Sequence, residues 1–200
     1  MPPPGILCLF AVIEGMGMIR TWVRASALML AAALGSGGGA VAATSEVSPT
    51  GFTVALRHEV RATPHRVWEA LGEIDRWWNG SHSWSGQAAN LTLATQAGGC
   101  FCERWGANSV VHARVIYAVE DRMLRLEGSL GPLQALAATS IMTFALEAPK
   151  DGGTTLVVTY RVAGSGTAGL PQLAGPMDGV IGEQVRRLVA YVETGRPDRP

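Results

Sequence analysis

Phe52-Thr-Val-Ala-Leu-Arg-His-Glu-Val-Arg-Ala-Thr-Pro-His-Arg-Val-Trp-Glu-Ala-Leu71 changes its hydrophobic period partway along. Residues 52–60 alternate, placing Val54, Leu56, His58 and Val60 on one face and Thr53, Arg57 and Glu59 on the other, as in a half-buried strand. At Thr63-Pro64 a hydroxyl cap precedes a first-turn proline, and Val67, Trp68, Leu71 and Ile74 then form a helical stripe to about Trp78. A loop over 79–86 follows. Strand patterns separated by turn residues then cover 90–95, 99–105, 109–119, 123–127, 140–147 and 154–162. A Gly-rich loop, 164–176, leads to an amphipathic helix over 177–193 that Thr194-Gly195 closes. Strand, helix, six strands and a long last helix predict an α+β fold, an antiparallel sheet with its helices on one face.

The chain has 200 residues, 48% apolar and 16% charged, and the excess apolarity lies at the front. Arg20 and Arg24 precede an apolar run over 25–34, and Ala40-Val-Ala-Ala43 offers small residues for cleavage after Ala42 or Ala43. These are the three parts of a secretory signal. Residues 1–43 are therefore expected to direct export to the periplasm or outside, with Met18 the natural start and 1–17 without function. A polar leader, 44–51, a domain over 52–195 and a short tail, 196–200, complete the organisation.

Beyond residue 43 there are 14 basic and 15 acidic residues, a net charge of −1, with no basic run. Nucleic acid is thereby excluded as a partner, because phosphate contacts need clustered cations. No run there approaches the roughly 20 apolar residues of a membrane span, so no stable membrane insertion is expected after signal cleavage.

The element order, Ala62-Thr-Pro-His-Arg-Val-Trp-Glu-Ala-Leu71 after the first strand, the Trp77-Trp78 pair and Gly98-Gly99 opening the third strand together resemble the SRPBCC superfamily. The likeness is to its branch of START-like lipid-transport, polyketide cyclase/dehydrase and heat-shock-90 ATPase activator homologues, and it spans residues 52–195. The resemblance implies a helix-grip fold, in which a curved seven-stranded sheet wraps the last helix around an apolar cavity for a hydrophobic small molecule. It implies no single reaction, since one fold hosts many.

Within 99–119, taking Val111, Ala113, Val115 and Tyr117 as inward leaves His112 and Arg114 outward. Pairing about Ala107 then turns Phe101, Glu103 and Trp105 inward and Cys100, Cys102 and Arg104 outward. Glu103 becomes the candidate acid/base, a carboxyl whose pKa burial would raise; pairing with an arginine is the plainer alternative. His58 lies on the inner face of the first strand, as a ligand contact or a hydrogen-bonded core residue. Trp77, Trp78, His82 and Trp84 gather near one end of the sheet, where they line a pocket mouth or close the core. Phe101, Trp105, Met142, Phe144, Met177, Ile181 and Val185 are the expected cavity wall. Cys100 and Cys102 are read as free thiols, as a disulfide at the upper limit of reach, or as metal ligands with His112 opposite. Gly164-Ser-Gly-Thr-Ala-Gly169 matches the dinucleotide fingerprint but is set aside, because Pro171 and Pro176 should prevent a helix from opening there and the surrounding hairpins are not a βαβ unit.

The leading expectation is an exported protein that holds an apolar or aromatic molecule, a lipid or a polyketide-like compound, without a cofactor. The alternatives are a cyclase, dehydratase or hydrolase using Glu103, and a chaperone-cofactor role, which export disfavours.

Overall fold

The computed structural model describes residues 43–198; the expected signal over 1–43 lies outside the described residues but for Ala43. Eight strands form one antiparallel sheet: β1 (Ala43–Ser48), β2 (Gly51–Val60), β3 (Leu91–Leu93), β4 (Cys100–Trp105), β5 (Asn108–Val119), β6 (Met123–Gly128), β7 (Thr139–Glu147) and β8 (Thr154–Ala163). Their order is β1-β2-β8-β7-β6-β5-β4-β3. The eighth strand is the residue 44–51 leader, which pairs with β2 as an edge and accepts the Thr53 hydroxyl on Glu46 at 2.9 Å. Its polarity suits an edge strand and gave no alternation to read.

Helix α1 (Pro64–Gly72) begins as the sequence predicts, with the Thr63 side chain accepting the Arg66 N–H. It stops earlier than expected. Glu73 leaves helical geometry, and a single turn, α2 (Ile74–Trp77), follows. Trp77 Nε1–H donates to the Ala70 carbonyl at 2.7 Å, capping the break from inside the core. Trp77 is thus a packing residue, 1% exposed, and not a pocket wall.

Helix α3 (Leu170–Thr194) starts seven residues before the expected position. Pro171 falls in the first turn, where a missing N–H costs nothing, and Pro176 in the second removes one backbone bond without ending the helix. The prolines therefore do not exclude a dinucleotide loop at 164–169; the antiparallel setting of β8 does, since that motif belongs to a parallel βαβ unit. Ile181, Val185 and Leu188 pack α3 on the sheet, with Val54, Leu56, Phe144 and Val158 in the same core.

The hairpin β4–β5 departs most from simple alternation. Phe101 pairs with Ala113 but Cys102 pairs with Val111, so His112 is an extra, unpaired residue. The bulge reverses the phase. Val111 turns out to solvent, while His112 turns in beside Ala113 and Val115. A second slip at Ile116 leaves Tyr117 outward too, under the Arg125 guanidinium. Both expectations, an inward Val111/Tyr117 face and an outward His112, are corrected by these two single-residue slips.

Two features accompany the first bulge. Cys100 and Cys102 are joined as a disulfide, with Cα atoms 5.3 Å apart against about 6.6 Å for an extended pair two residues apart. The strand is contracted there, which corrects the reading of free thiols. Across β5, Gly128 faces Ala113, and a side chain at 128 would overlap the His112 carbonyl and the Ala113 Cα. Only glycine leaves room for the bulge. A Gly128→Ala protein should therefore lose about 1–3 kcal/mol of stability, the usual range for forced overpacking, in urea unfolding. An unchanged midpoint would contradict the packing described.

Candidate functional site

The interior between sheet and α3 is filled. Phe101, Leu126, Leu130, Met142 and Tyr160 enclose only about 10 Å³, room for at most one water. Phe144, Ile181 and Val185 are core residues, and Trp105 stands half-buried at the β4–β5 turn. These expected cavity-wall residues do not meet around a hollow.

Space opens instead at the mouth, as a cleft of about 270 Å³. The loop after α2 supplies Trp78, Ser81, His82, Ser83 and Trp84. Met177 and Val180 come from α3, His112 from β5, and Leu130, Gly131 and Pro132 from the connection after β6. Of the residues expected from sequence, Trp78, His82, Trp84 and Met177 are brought together here. The Phe101 ring backs the site, 5.3 Å from Trp78 and 4.7 Å from His112 between centroids.

Glu103 is fully buried and does not reach the cleft. Its Oε2 accepts the Trp84 N–H at 3.0 Å and His112 Nε2 at 3.0 Å, and its Oε1 accepts the Ser85 N–H at 2.6 Å. Burial pushes its pKa up, but hydrogen bonds from Ser85, Trp84 and His112 outweigh this and hold it below the usual carboxylate range. The expected raised pKa is corrected: Glu103 is an ionised anchor with no free oxygen to offer a substrate. A carboxylate can only accept, so His112 Nε2 carries the hydrogen and Nδ1 is an acceptor. Burial lowers the His112 pKa, only partly opposed by Glu103, which keeps the imidazole neutral at pH 7.

The other end of the loop is held by α3. Gln184 Oε1 accepts the Asn79 N–H at 2.7 Å, and Glu183 accepts Asn79 Nδ2 at 2.6 Å and His82 Nε2 at 3.0 Å. Arg187 Nε donates to the Trp77 carbonyl at 2.8 Å. Burial raises the Glu183 pKa, yet the bonds from Asn79 and His82 win and lower it. Sequence reading missed these three residues and the inward His112. One signal was present: Gln184 sits in the apolar stripe, between Ile181 and Leu188, where a polar side chain needs a partner.

His58 faces α3 as predicted, but in a separate groove with Arg61, Arg186 and Glu193. Its Nε2 has no hydrogen-bond partner, and burial followed by Arg186 lowers its pKa. The suggested Cys100/Cys102/His112 metal set is dismantled, since the thiols are bonded to each other and His112 lies on the opposite face. Elsewhere, His65 meets Glu120 and Asp121 with ligand atoms within 4.8 Å of one another, an exposed cluster in which His65 Nδ1 lies 3.1 Å from Asp121.

No family model matches the chain, and no curated protein does. Solved structures do. A conserved protein of unknown function from Enterococcus faecalis is similar at 16% identity, covering 80% of each chain, with a TM-score of 0.54. An uncharacterised protein from Rhizobium leguminosarum is 24% identical over 76% of this chain and 98% of its own, at 0.50. A protein from Arthrobacter aurescens is 15% identical over 78% and 94%, at 0.54. At these identities the likeness shows the fold alone, a sheet with a long carboxy-terminal helix compatible with the helix-grip arrangement.

The pKa directions set a pH dependence. For His112 the folded pKa lies below the unfolded one, so the unfolded chain binds more protons and stability falls as pH drops through about 6.5. Glu103, depressed in the folded state, contributes stability above about pH 4.5 that is lost as pH falls through its folded pKa. His58 adds to the upper limb in the same sense, and the exposed His65, with a raised pKa, opposes it. Urea midpoints measured from pH 7.5 to 5.5 should therefore fall less in His112→Gln than in the wild type. Parallel slopes would show that His112 does not change its proton affinity on folding.

Proposed function

We propose that this is an exported small-molecule-binding protein of the SRPBCC helix-grip type, whose ligand is an apolar or aromatic molecule held in the mouth cleft. One observation carries the reading: an apolar cleft between Trp78, Trp84, Leu130, Pro132 and Met177 contains a few converging polar atoms, and its loop is fixed at both ends by buried side chains. Binding sites have this composition, with apolar walls for affinity and few polar groups for orientation. A preformed loop also avoids an ordering cost on binding. Kinship with SRPBCC proteins rests on the motifs over 52–195, and export on the segment over 18–43.

A second reading, catalysis, is favoured by the Glu103–His112 pair alone. In it His112 is the proton acceptor and Glu103 orients it, a carboxylate behind an imidazole as in many acid–base sites. The pair by itself selects no reaction.

Native mass spectrometry of the protein from its own host should detect a retained small molecule. Val180→Trp, which fills the cleft from α3, should lose it. An equal adduct in wild type and variant would place the ligand elsewhere, and a wild type without any adduct would contradict the binding reading.

A further inference from the structure

Resting on the cleft as a ligand site, we propose that its occupant carries a hydrogen-bond-donating head without negative charge, such as a hydroxyl on an apolar body, and that His112 Nδ1 receives the donor. Three observations converge on this. First, no lysine or arginine lines the cleft, while the carboxylates of Glu103 and Glu183 stand behind its two imidazoles, each 3.0 Å from an Nε2. An anionic head, a fatty-acid carboxylate or a phosphate, would meet these two carboxylates with no cation in the lining to bind it, the nearby Arg187 being engaged with the Trp77 carbonyl and acting on Glu183. Second, Glu103 takes the Nε2 hydrogen of His112, so Nδ1 can only accept. Nδ1 forms no hydrogen bond among the described residues and is not one of the fully enclosed unpartnered atoms, and His112, only 5% exposed, lines the cleft. An acceptor bordering an apolar cleft is met by water until a ligand donor takes the water's place, and an apolar ligand without a donor would strip it of both. Third, the Phe101 ring 4.7 Å behind the imidazole and the bonds to Glu103 fix where Nδ1 points, so the donor is read at one position.

This makes His112 a specificity-determining residue. It discriminates between molecules of the same size and apolarity by one hydrogen. A site that contains a fixed acceptor rejects the analogue lacking the donor more strongly than a site built only from apolar walls.

Isothermal titration calorimetry of the full chain tests this with three probes sharing one body: 2-naphthalenemethanol, its methyl ether and 2-naphthoate. The alcohol should bind roughly tenfold more tightly than the ether, the value of one well-placed hydrogen bond near a buried acceptor, and the naphthoate most weakly of the three. In a Glu103→Gln, His112→Phe double variant the advantage of the alcohol over the ether should disappear. The proposal is overturned if alcohol and ether bind equally to the wild type, if naphthoate binds best, or if the double variant keeps the preference. Should none of the three bind, the cleft itself is not a ligand site, a different failure from loss of discrimination. If the double variant does not fold, the wild-type series alone decides.

Discussion

A carboxylate with no solvent-exposed surface keeps its charge only if its oxygens are met by donors, and otherwise protonates or destabilises the fold. Glu103 is such a group, met by two backbone N–H groups of the 84–85 segment and one imidazole N–H. Those bonds do more than compensate for burial. They tie the end of the loop after α2 to β4, and they set which nitrogen of His112 is free. The cleft follows from that one anchored charge, because both its aromatic wall and its acceptor are positioned by it.

Glu103 and His112 meet on one face of the β4–β5 hairpin, beside the bulge in β5. Glu103 pairs with Val110, so His112, two residues on, shares its face, and the extra residue of the bulge turns Ala113 inward beside it. Gly128 makes space for the bulge from β6, and the Cys100–Cys102 disulfide spans the contracted part of β4 from the other face. Phe101, between the two cysteines, packs on both Trp78 and His112. Strand geometry, disulfide and site are one connected arrangement. On the far side, Glu183, Gln184 and Arg187 bind the same loop from α3. The last helix thus packs the core with its apolar stripe and orders the cleft with the polar residues beside and within it.

Periodicity made the elements legible. The alternation of 52–60, the Thr63-Pro64 start, the stripe of α3 and the turn residues between the later strand patterns are local signals, and seven of the eight strands follow from them. The leader was not legible as a strand because β1 is a polar edge without alternation. The site was legible only in part. Trp78, His82, Trp84 and Met177 were found by residue type, and Glu103 was found as an inward acid. Its partners were not, because a pairing about Ala107 with Val111 and Ala113 both inward misses that the turn joins Trp105 to Asn108 and that the bulge, for which Gly128 leaves room, puts Val111 and His112 out of phase with Ala113 and Val115. The direction of the Glu103 pKa was lost for a related reason. Burial is visible in a pattern, but the backbone N–H groups that stabilise the charge come from a loop 18 and 19 residues away in sequence.

Burial keeps His112 neutral against the pull of an ionised Glu103, and the bond to that carboxylate places the ring's hydrogen on Nε2. Nitrogen-15 NMR of the histidine side chains at pH 7 tests it directly, because protonated and unprotonated ring nitrogens resonate far apart. His112 should show a protonated Nε2 and an unprotonated Nδ1. A doubly protonated ring, or the hydrogen on Nδ1, would contradict it.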